Sequence, residues 1–511
     1  MCCIDNQLLS DVNYWQIKMF NVLIHSNLYG KTYNLIWAHF SQEPQMNSLY
    51  WVHSWIVKLS HVIEHTYDCC VNSCCCFIAC FASLNACPYC KEPCYKSDGW
   101  TPLQTFHYLP IGPQFKVLYL NDKFSELLQY HSTLDLDSAT IDDVFHGDHY
   151  CSLLQKWVQI DSQVYQHCYF SNRCDVTLGI MTNGFQVFKC PHDGSITCWP
   201  IITINFNLPP EEHMMLSNIL PLAIVPGPKA PKDYNSFLQP LVDEFKQLSL
   251  GNWAFDAFSN EMFKLHAYPI SFHGDMVATK HVMNFKGHNG ISPCSLCLIL
   301  GIQNLQGTTT HYVPHTPPFD QPSTCSTYWD TWETNLQSDS GYFDTLLKMD
   351  SLQGSRGAKS KITELQWHSG INGNCVLMDL PSISITSSFP CDWMHLCIEN
   401  HSKNLVALWQ GQYKGLDEGR ENYCISDNIW ERIRQETAMA GDTIPSSFGC
   451  HTPNVWTEKY LFTAKDWAFW MIHLAPHVLK DWFTHPKYYK HFMKFNSILK
   501  HCKWDTSLLG V

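Results

Sequence analysis

The sequence predicts an α/β protein with a mixed-sheet core, a cysteine-rich segment before the core and a helical part after it. Between residues 171 and 300, short apolar runs rich in β-branched residues alternate with turn signals. Cysteines concentrate between Cys69 and Cys94. Beyond residue 375, apolar residues recur near helical spacing. Together these three patterns favour a sheet domain between a metal-binding or thiol-rich segment and a set of helices.

Composition narrows the class of protein. The 511 residues suffice for two or three domains, and a hydrophobic content of 45% favours a packed protein over a disordered one. A net charge of -13 disfavours a general DNA binder, so any contact with phosphates would use local basic patches. The first residues do not form a signal peptide, and the apolar run from Cys74 to Cys87 is too short to span a membrane. We therefore expect an intracellular protein, with its 25 cysteines reduced and without a membrane segment.

Shifts in composition divide the chain into six segments. They are a helical N-terminal leader (1–60), a cysteine-rich region (61–110), a helical linker (111–170), the sheet core (171–300), a loop-rich insertion (301–375) and a helical C-terminal part (376–511).

Two cysteine pairs have the spacing of a zinc knuckle. Three residues separate Cys70 from Cys74, and two residues separate Cys87 from Cys90. Zinc takes four soft ligands in a tetrahedron, and two short cysteine pairs on facing turns supply them. Pro88 favours the tight turn within the second pair. The alternative is that these are buried apolar cysteines, as the nearby surplus cysteines allow, namely Cys69, Cys75, Cys76, Cys80 and Cys94.

The predicted core begins with an apolar strand that ends at Asn183 and Gly184, a strong tight-turn pair, so the next strand is expected to return beside it. A β-branched strand and a further apolar strand follow. The helix after them is expected to begin at a capping Asp233 and to bury one apolar face, formed by Phe237, Leu241, Phe245 and Leu248. The last strand of the core ends near Asp275, which by itself fits a loop residue or a helix cap.

The C-terminal part is predicted to contain a helix beginning near Asp392 and a basic tail with interleaved aromatics. The tail could contact the DNA backbone, although a solvated helix face explains the same pattern. The residues of this tail patch are Lys487, Lys490, Lys494, Lys500 and Lys503, with Tyr488, Tyr489 and Phe492.

Several separated motifs resemble the fungal CACTA-type transposases, the Plavaka-like group in particular. They are Thr-Asn-Gly-Phe at Asn183, Gly-Asp at Asp275, the Cys-x-x-Cys pair Cys294 and Cys297, and Asp-x-Met-His-Leu at Asp392. The resemblance implies an RNase H-like core, and it implies that DNA is cut and joined by two Mg²⁺ or Mn²⁺ ions held by an Asp-Asp-Glu triad. It further implies transposon ends as DNA partner, a nuclear location, a possible homo-oligomer and the zinc role of the first two cysteine pairs.

The resemblance assigns the second acid of the triad to Asp275. The first position reads Asn183, where the family usually has Asp, and an amide is a poorer Mg²⁺ ligand than a carboxylate. Asp175 and Asp193 lie nearby in sequence and could substitute if the strand ends brought either within reach. The family's third acid lies in a Glu motif that is not found before Val511, and Glu399 matches a different family segment.

The same resemblance pairs Cys294 and Cys297 with histidines from a later segment. Two ligands alone do not make a strong zinc site, and His281 and His288 are nearby candidates for further ligands. The sequence therefore predicts a truncated, catalytically inactive, transposase-like protein. Two alternatives stay open. One is a domesticated zinc-containing DNA- or protein-binding factor, and the other is an active nuclease that uses Asp175 or Glu399.

Overall fold

The computed structural model describes most of the chain. The described residues are 3–4, 7–8, 11–25, 30–40, 47–136, 140–190, 194–287, 290–303, 311–312, 336–413, 421–441, 444 and 462–501. They form two compact units. Unit 1 contains residues 1–210, 219–271 and 373–388, and unit 2 contains residues 211–218, 272–372 and 389–511.

Unit 1 begins with a short hairpin and three helices. The hairpin strands are β1 (Cys3–Ile4) and β2 (Gln7–Leu8), and the helices are α1 (Asp11–His25), α2 (Gly30–Phe40) and α3 (Leu49–Ser60). The Ser48 side chain caps α3 by accepting a hydrogen bond from the backbone N–H of Trp51. Leu23, Tyr33 and Val52 form a small core between these helices. Each helix therefore contributes one buried side chain to this core.

Seven strands form the main sheet, in the order β13-β7-β9-β10-β4-β3, with β8 paired to β9. The sheet belongs to unit 1 except for the last two residues of β13, which are in unit 2. The pairs β3–β4, β4–β10, β9–β10 and β7–β9 are antiparallel. The strands are β3 (His65–Cys69), β4 (Gln104–Tyr108), β7 (Val176–Thr182), β8 (Phe185–Cys190), β9 (Gly194–Asn205), β10 (Leu220–Val225) and β13 (Ala267–His273).

The break between β7 and β8 corrects the predicted tight turn. Both strands pair antiparallel with the 12-residue β9, so β8 continues in the direction of β7 and does not return beside it. Asn183 and Gly184 are the interruption in this continuous path. A Cβ at Gly184 would overlap the Trp199 indole, so the residue is a glycine because another side chain passes over its backbone. The prediction failed because close packing and turn geometry select the same residue type.

One helix, α7 (Tyr234–Leu250), packs along this sheet, as predicted. Asp233 caps it, since its Oδ1 accepts the Ser236 N–H at 2.9 Å. The predicted apolar face is confirmed, because Phe237, Leu241, Phe245 and Leu248 are all buried. Phe237 packs edge-on against Phe106 of β4, with ring centroids 5.1 Å apart. The helix stays continuous through Pro240.

Shorter elements complete unit 1. The helices α4 (Ile111–Tyr119), α5 (Asp122–Leu127) and α6 (Asp148–Leu154) precede two hairpins. The first hairpin pairs β5 (Trp157–Ile160) with β6 (Gln163–Cys168), and the second pairs β11 (Asn252–Asp256) with β12 (Glu261–Leu265). The Glu244 carboxylate of α7 accepts the backbone N–H groups of Ile111 and Gly112, at 3.0 and 2.9 Å, and thereby fixes the start of α4.

Unit 2 is mainly helical. Its elements are α8 (Met276–Val282), β14 (Ile302–Gln303), β15 (His311–Tyr312), α9 (Asp339–Leu352), α10 (Ala358–Ser369), a π-helical stretch (Met394–Ser402), α11 (Lys403–Trp409), α12 (Asp427–Gly441), α13 (Ala464–Phe469), a second π-helical stretch (Trp470–Leu474), α14 (Ala475–Val478) and α15 (Pro486–His501). Its largest apolar cluster is centred on Trp430, Trp467, Trp470 and Phe492. Of the loop-rich insertion predicted for residues 301–375, residues 304–310 and 313–335 lie outside the described residues. Between 336 and 375 the structure has the packed helices α9 and α10.

Crossing a membrane requires a helix both long and apolar, and none of those in the described ranges meets the two conditions.

Candidate functional site

Four cysteines of unit 1 come together as the sequence predicted. The sulfur atoms of Cys70, Cys74, Cys87 and Cys90 all lie within 4.8 Å of one another. The Cys70 and Cys90 sulfurs are 3.4 Å apart. A tetrahedral zinc site with Zn–S bonds of about 2.3 Å places its sulfurs about 3.8 Å apart, so the observed cluster needs little adjustment to enclose the ion. The group could therefore hold a metal such as zinc.

The cluster is built on two turns. Cys70 follows β3 directly, and the turn after it closes with a hydrogen bond of 2.7 Å from the Ser73 N–H to the Cys70 carbonyl. The second turn closes with a bond of 2.9 Å from the Lys91 N–H to the Cys87 carbonyl. Ser73 and Lys91 both have positive φ, at 56° and 67°. The chain therefore adopts uncommon backbone conformations at both turns, and the cysteines point inward from them.

Contacts with the main sheet domain hold both turns in place. The Ser73 hydroxyl donates to the Gly227 carbonyl at 2.7 Å. The Cys74 carbonyl accepts the N–H groups of Lys232 and Asp233, at 3.0 and 2.9 Å. In the second turn, the Tyr89 hydroxyl donates to Asp233 Oδ2 at 2.8 Å. Because Asp233 also caps α7, one carboxylate joins the cysteine cluster to the principal helix of the sheet.

Three of the clustered thiols differ in acidity. Burial raises the pKa of Cys70 above its ordinary value and that of Cys74 to about 11. Burial also acts on Cys90, but hydrogen bonds from the Glu92 backbone, the Asn72 side chain and the neighbouring thiols outweigh it and lower the Cys90 pKa to about 7. Cys90 therefore becomes a thiolate before Cys70 and Cys74 do. A bound divalent cation would stabilise the remaining thiolates, as metal coordination of cysteine requires.

The surplus cysteines have a different environment. Cys69 and Cys76 face each other across a β-bridge and are fully buried. Cys94 is buried with its thiol directed at the Leu84 carbonyl, at 3.3 Å. Burial raises the pKa of Cys69 to about 12. Cys69, Cys76 and Cys94 therefore serve as small apolar core residues, whereas Cys80 is exposed.

Asp275 lies two residues beyond β13 and begins α8. Its Oδ1 accepts the Ala278 N–H at 2.6 Å, which makes Asp275 the N-cap of that helix. Oδ1 is occupied by the cap, and a carboxylate oxygen has more than one acceptor position. The helix cap that the residues alone favoured is therefore observed, and it does not exclude a further ligand.

Within unit 2, a cavity of about 110 Å³ borders the residues on both sides of Asp275. Gly274 and Met276 line it, together with Lys280 of α8. Asp392 and His395 line it as well. The imidazole Nδ1 of His395 lies 2.7 Å from Asp392 Oδ2, and the backbone N–H of His395 donates to Asp392 Oδ1 at 3.0 Å. A carboxylate held in a fixed orientation thus borders the same cavity as the neighbours of Asp275.

Sequence reasoning assigned Asp392 only the start of a helix. The available signal was its spacing of three residues from His395, which allows a carboxylate and an imidazole to meet within one turn. The structure adds a link to His273 of β13. Burial lowers the pKa of His273 to about 4, against the opposing charge of Asp392. The His273 imidazole is therefore neutral at pH 7.

Asn183 lies directly after β7 and is half-buried. It belongs to unit 1 and Asp275 to unit 2, so the predicted meeting of their side chains stays a prediction. Asp175 does not replace Asn183. It precedes the seven-residue β7 at the other end, and the eight residue steps from Asp175 to Asn183 span roughly 26 Å at the usual strand rise. It is also fully buried, and it bonds His266 Nδ1 at 2.8 Å and the Asn172 N–H at 3.0 Å. Asp193 lies outside the described residues.

The other predicted ligands remain apart from any larger group. Glu399 forms an ion pair with Lys403 at 3.7 Å. The thiol of Cys297 hydrogen-bonds Cys294 and lowers the pKa of Cys294 to about 6. Among the residues whose placement is described, no third acid, histidine or cysteine joins this pair in a metal-sized cluster. His281 is in α8, and His288 lies outside the described residues.

The basic tail forms α15. Lys487, Lys490 and Lys494 are exposed on one side of the helix, and no acidic residue occurs within it. Phe492 is fully buried, so this member of the predicted patch is part of the core. The Tyr489 hydroxyl donates to the Pro476 carbonyl at 2.7 Å. Lys500 is exposed but rotated away from the other three at 3.6 residues per turn, and Lys503 lies outside the described residues.

Comparison with known proteins gives one family match. Residues 151–319 match the model of the transposase family tnp2. This region includes β7, β9, β10, α7, β13 and Asp275. The match supports a transposase-like protein. No curated protein matches the chain.

Proposed function

We propose that the chain is a transposon-derived, transposase-like DNA-binding protein of the Plavaka-like CACTA type found in fungi. The observation that carries the proposal is the match of residues 151–319 to the transposase family tnp2. The described sheet supports an RNase H-like core. Strands β10, β9, β7 and β13 are successive neighbours, and α7 lies between β10 and β13 in sequence. DNA in the nucleus is the expected partner, and a homo-oligomer is the expected assembly.

In this proposal the cysteine cluster is a structural zinc centre. The donor set of four cysteines suits zinc, and all four ligand positions come from the protein. Such a closed site leaves no position for substrate, so zinc would organise the fold and would not take part in DNA cleavage. Its attachment to Asp233 and Gly227 fixes the cysteine-rich segment to the sheet domain.

We further propose that metal-dependent DNA cleavage is lost. Two-metal phosphoryl transfer needs carboxylates that hold both ions, and the position of the first acid is Asn183. An amide adds no negative charge and binds Mg²⁺ or Mn²⁺ more weakly than a carboxylate. Asp275 would then still cap α8, and it would be the one carboxylate left in an incomplete metal site.

Incubation of the purified 511-residue chain with transposon-end DNA in Mg²⁺ or Mn²⁺ tests this proposal. We expect no strand cleavage, because one misplaced ligand of such a site alone costs orders of magnitude in rate. The variant Asn183→Asp restores a carboxylate at the position of the first acid and is compared with the unmodified chain. Robust cleavage by the unmodified chain that is abolished by Asp275→Ala would overturn the loss of catalysis. Absence of DNA binding at low salt would overturn the broader proposal.

A second candidate is a nuclease that replaces the missing acid with Asp392. The specific observation is that Asp392 and both neighbours of Asp275 line one cavity. In this case a divalent ion near Asp275 would gain a second carboxylate, oriented by His395. Cleavage by the unmodified chain that disappears in Asp392→Asn, with unchanged DNA binding, would select this candidate.

The exposed face of α15 is proposed as one DNA-backbone contact. Each phosphate neutralised by a lysine releases counterions, so affinity should fall steeply with salt. The triple variant K487A/K490A/K494A is expected to reduce the slope of log affinity against log salt by about 2 to 3 for duplex DNA. Lys403→Ala is a control outside α15. Binding that is independent of salt in the wild type would exclude phosphate contacts.

A further inference from the structure

The connection between α9 and α10 is a Gly-x-x-Gly loop. It reads Gly354, Ser355, Arg356, Gly357, and all four residues are exposed. Gly354 and Gly357 have φ values of +79° and +76°. A Cβ on either glycine would meet nothing within 4 Å, so glycine is required by the backbone conformation and not by neighbouring atoms. The loop therefore presents bare backbone to the outside of the molecule.

Three cations lie in this loop or just after it, and one exposed acid, Asp350, precedes it. Arg356 lies within it, and Lys359 and Lys361 follow in the first turns of α10; all three side chains are exposed. In the described parts of the chain, none of these three cations is engaged in an ion pair. Residues 354–361 carry three cations and no acid, whereas the whole chain carries a net charge of -13. A cluster of unpaired cations in an acidic protein favours an anionic partner.

A groove lies beside the loop, between the two helices. Its volume is about 370 Å³, and residues from both α9 and α10 line it. Leu352 and Leu365 supply apolar surface, whereas Lys348, Lys361 and His368 supply basic groups. Glu364 is the one acid among the lining residues and can accept hydrogen bonds from amino groups. This combination of apolar surface and polar rim suits the faces and edges of unpaired bases.

We propose that the α9–α10 hairpin binds single-stranded DNA, with the loop on the sugar-phosphate backbone and the groove on the bases. In KH domains a Gly-x-x-Gly loop clamps the nucleic-acid backbone. The absence of side chains at Gly354 and Gly357 allows a phosphate to approach the main chain closely, while Arg356 neutralises it. A single strand is favoured over a duplex, because only unpaired bases offer their faces to Leu352 and Leu365. The inference rests on the proposed function only in taking DNA as the ligand.

Fluorescence anisotropy of the full chain with a labelled single-stranded oligonucleotide of about 12 nucleotides tests the proposal. The test variant is S355D/R356D, which places two carboxylates where phosphates would lie. The control is K123D/Q155D, which makes the same change in charge at two exposed positions of unit 1. We expect the test variant to weaken binding at least tenfold and the control to change it less than twofold. Circular dichroism and thermal unfolding of both variants check the fold.

A second variant, Arg356→Ala, removes the charge without adding repulsion. It should weaken binding several-fold and reduce the salt slope by about 0.7, the value for one phosphate contact on a single strand. Equal binding by wild type and S355D/R356D would overturn the hairpin assignment and leave the proposed function intact. Tighter binding of duplex than of single strand would overturn the groove assignment. No DNA binding by the wild type would overturn both the hairpin and the proposed function.

Discussion

The cysteine cluster and the cavity beside Asp275 differ in how their polar groups are brought together. The four cysteines lie within 21 residues of chain on two turns, and their sulfurs lie within 4.8 Å of one another. Asp392 and the two neighbours of Asp275, Gly274 and Met276, come from distant parts of the sequence and line the same cavity. In the cluster the donors share one chemistry. In the cavity, a carboxylate–imidazole pair and a lysine are set among apolar side chains.

This difference shows what each region needs from the remainder of the fold. Short closed turns such as those at Ser73 and Lys91 bring the thiols together locally, and contacts with the sheet domain only hold these turns in place. The cavity exists only once the end of β13 and the Asp392 segment are both in place within unit 2. Single substitutions should therefore lower the stability of the fold strongly in the cluster and less strongly around the cavity.

The largest effect is expected from breaking the cluster. Cys87→Ser removes one of four ligands, and structural zinc contributes an apparent binding free energy of about 10–16 kcal/mol in small zinc domains. We expect loss of bound zinc and a fall of several kcal/mol in the free energy of unfolding. Metal analysis of the purified chain and thermal unfolding with and without a chelator provide the measurements.

Cys80→Ser is the matched control, since Cys80 is exposed and outside the cluster. It should leave both zinc content and the unfolding temperature unchanged. Wild-type zinc content in Cys87→Ser, or no zinc in the wild type, would contradict the assignment and leave a cluster of buried thiols.

An intermediate effect on the stability of the fold is expected when the pH is lowered, because of His273 at the end of β13. Burial lowers the pKa of His273 from 6.5 to about 4. Below pH 6.5 the unfolded chain binds a proton at this position that the folded chain does not, so the stability of the folded state falls until about pH 4. The shift corresponds to about 3 kcal/mol. Equilibrium urea unfolding at several pH values in this window measures the loss.

His273→Asn removes the titrating group and should flatten this part of the pH profile relative to the wild type. An unchanged slope in the variant would show that other groups cause the acid sensitivity. Asp392→Asn removes the charge that opposes the shift, and it should make the wild-type histidine still harder to protonate.

The smallest effect is expected at Asp275. Asp275→Ala removes the cap of α8 and should cost about 1 kcal/mol of stability. Asp275→Asn keeps a side-chain oxygen for the Ala278 N–H and should cost less. Urea unfolding compares the two variants. Equal destabilisation by both would indicate that the charge of Asp275, and not its capping bond, supports unit 2.

Residue spacing in the sequence correctly predicted the helix cap, the apolar helix face and the cysteine cluster. Asp233 and the apolar face of α7 were predictable because capping and helical periodicity depend on neighbours within a few residues. The four cysteines of the cluster were predictable for the same reason, since two short pairs define two facing turns. The tight turn expected at Asn183 and Gly184 was not observed, because the glycine makes room for Trp199 across the sheet.

The sequence by itself determined the α/β class, the principal helix and the four converging thiols, because these depend on periodicity and short spacing. Tertiary structure decided which polar residues are free to act. It buried Asp175 in a pair with His266 and placed Phe492 in the core. It also set Asp392 against a cavity next to the residues that flank Asp275. The physical reason is that burial and long-range proximity depend on how distant segments pack, and no local pattern of residues specifies that packing.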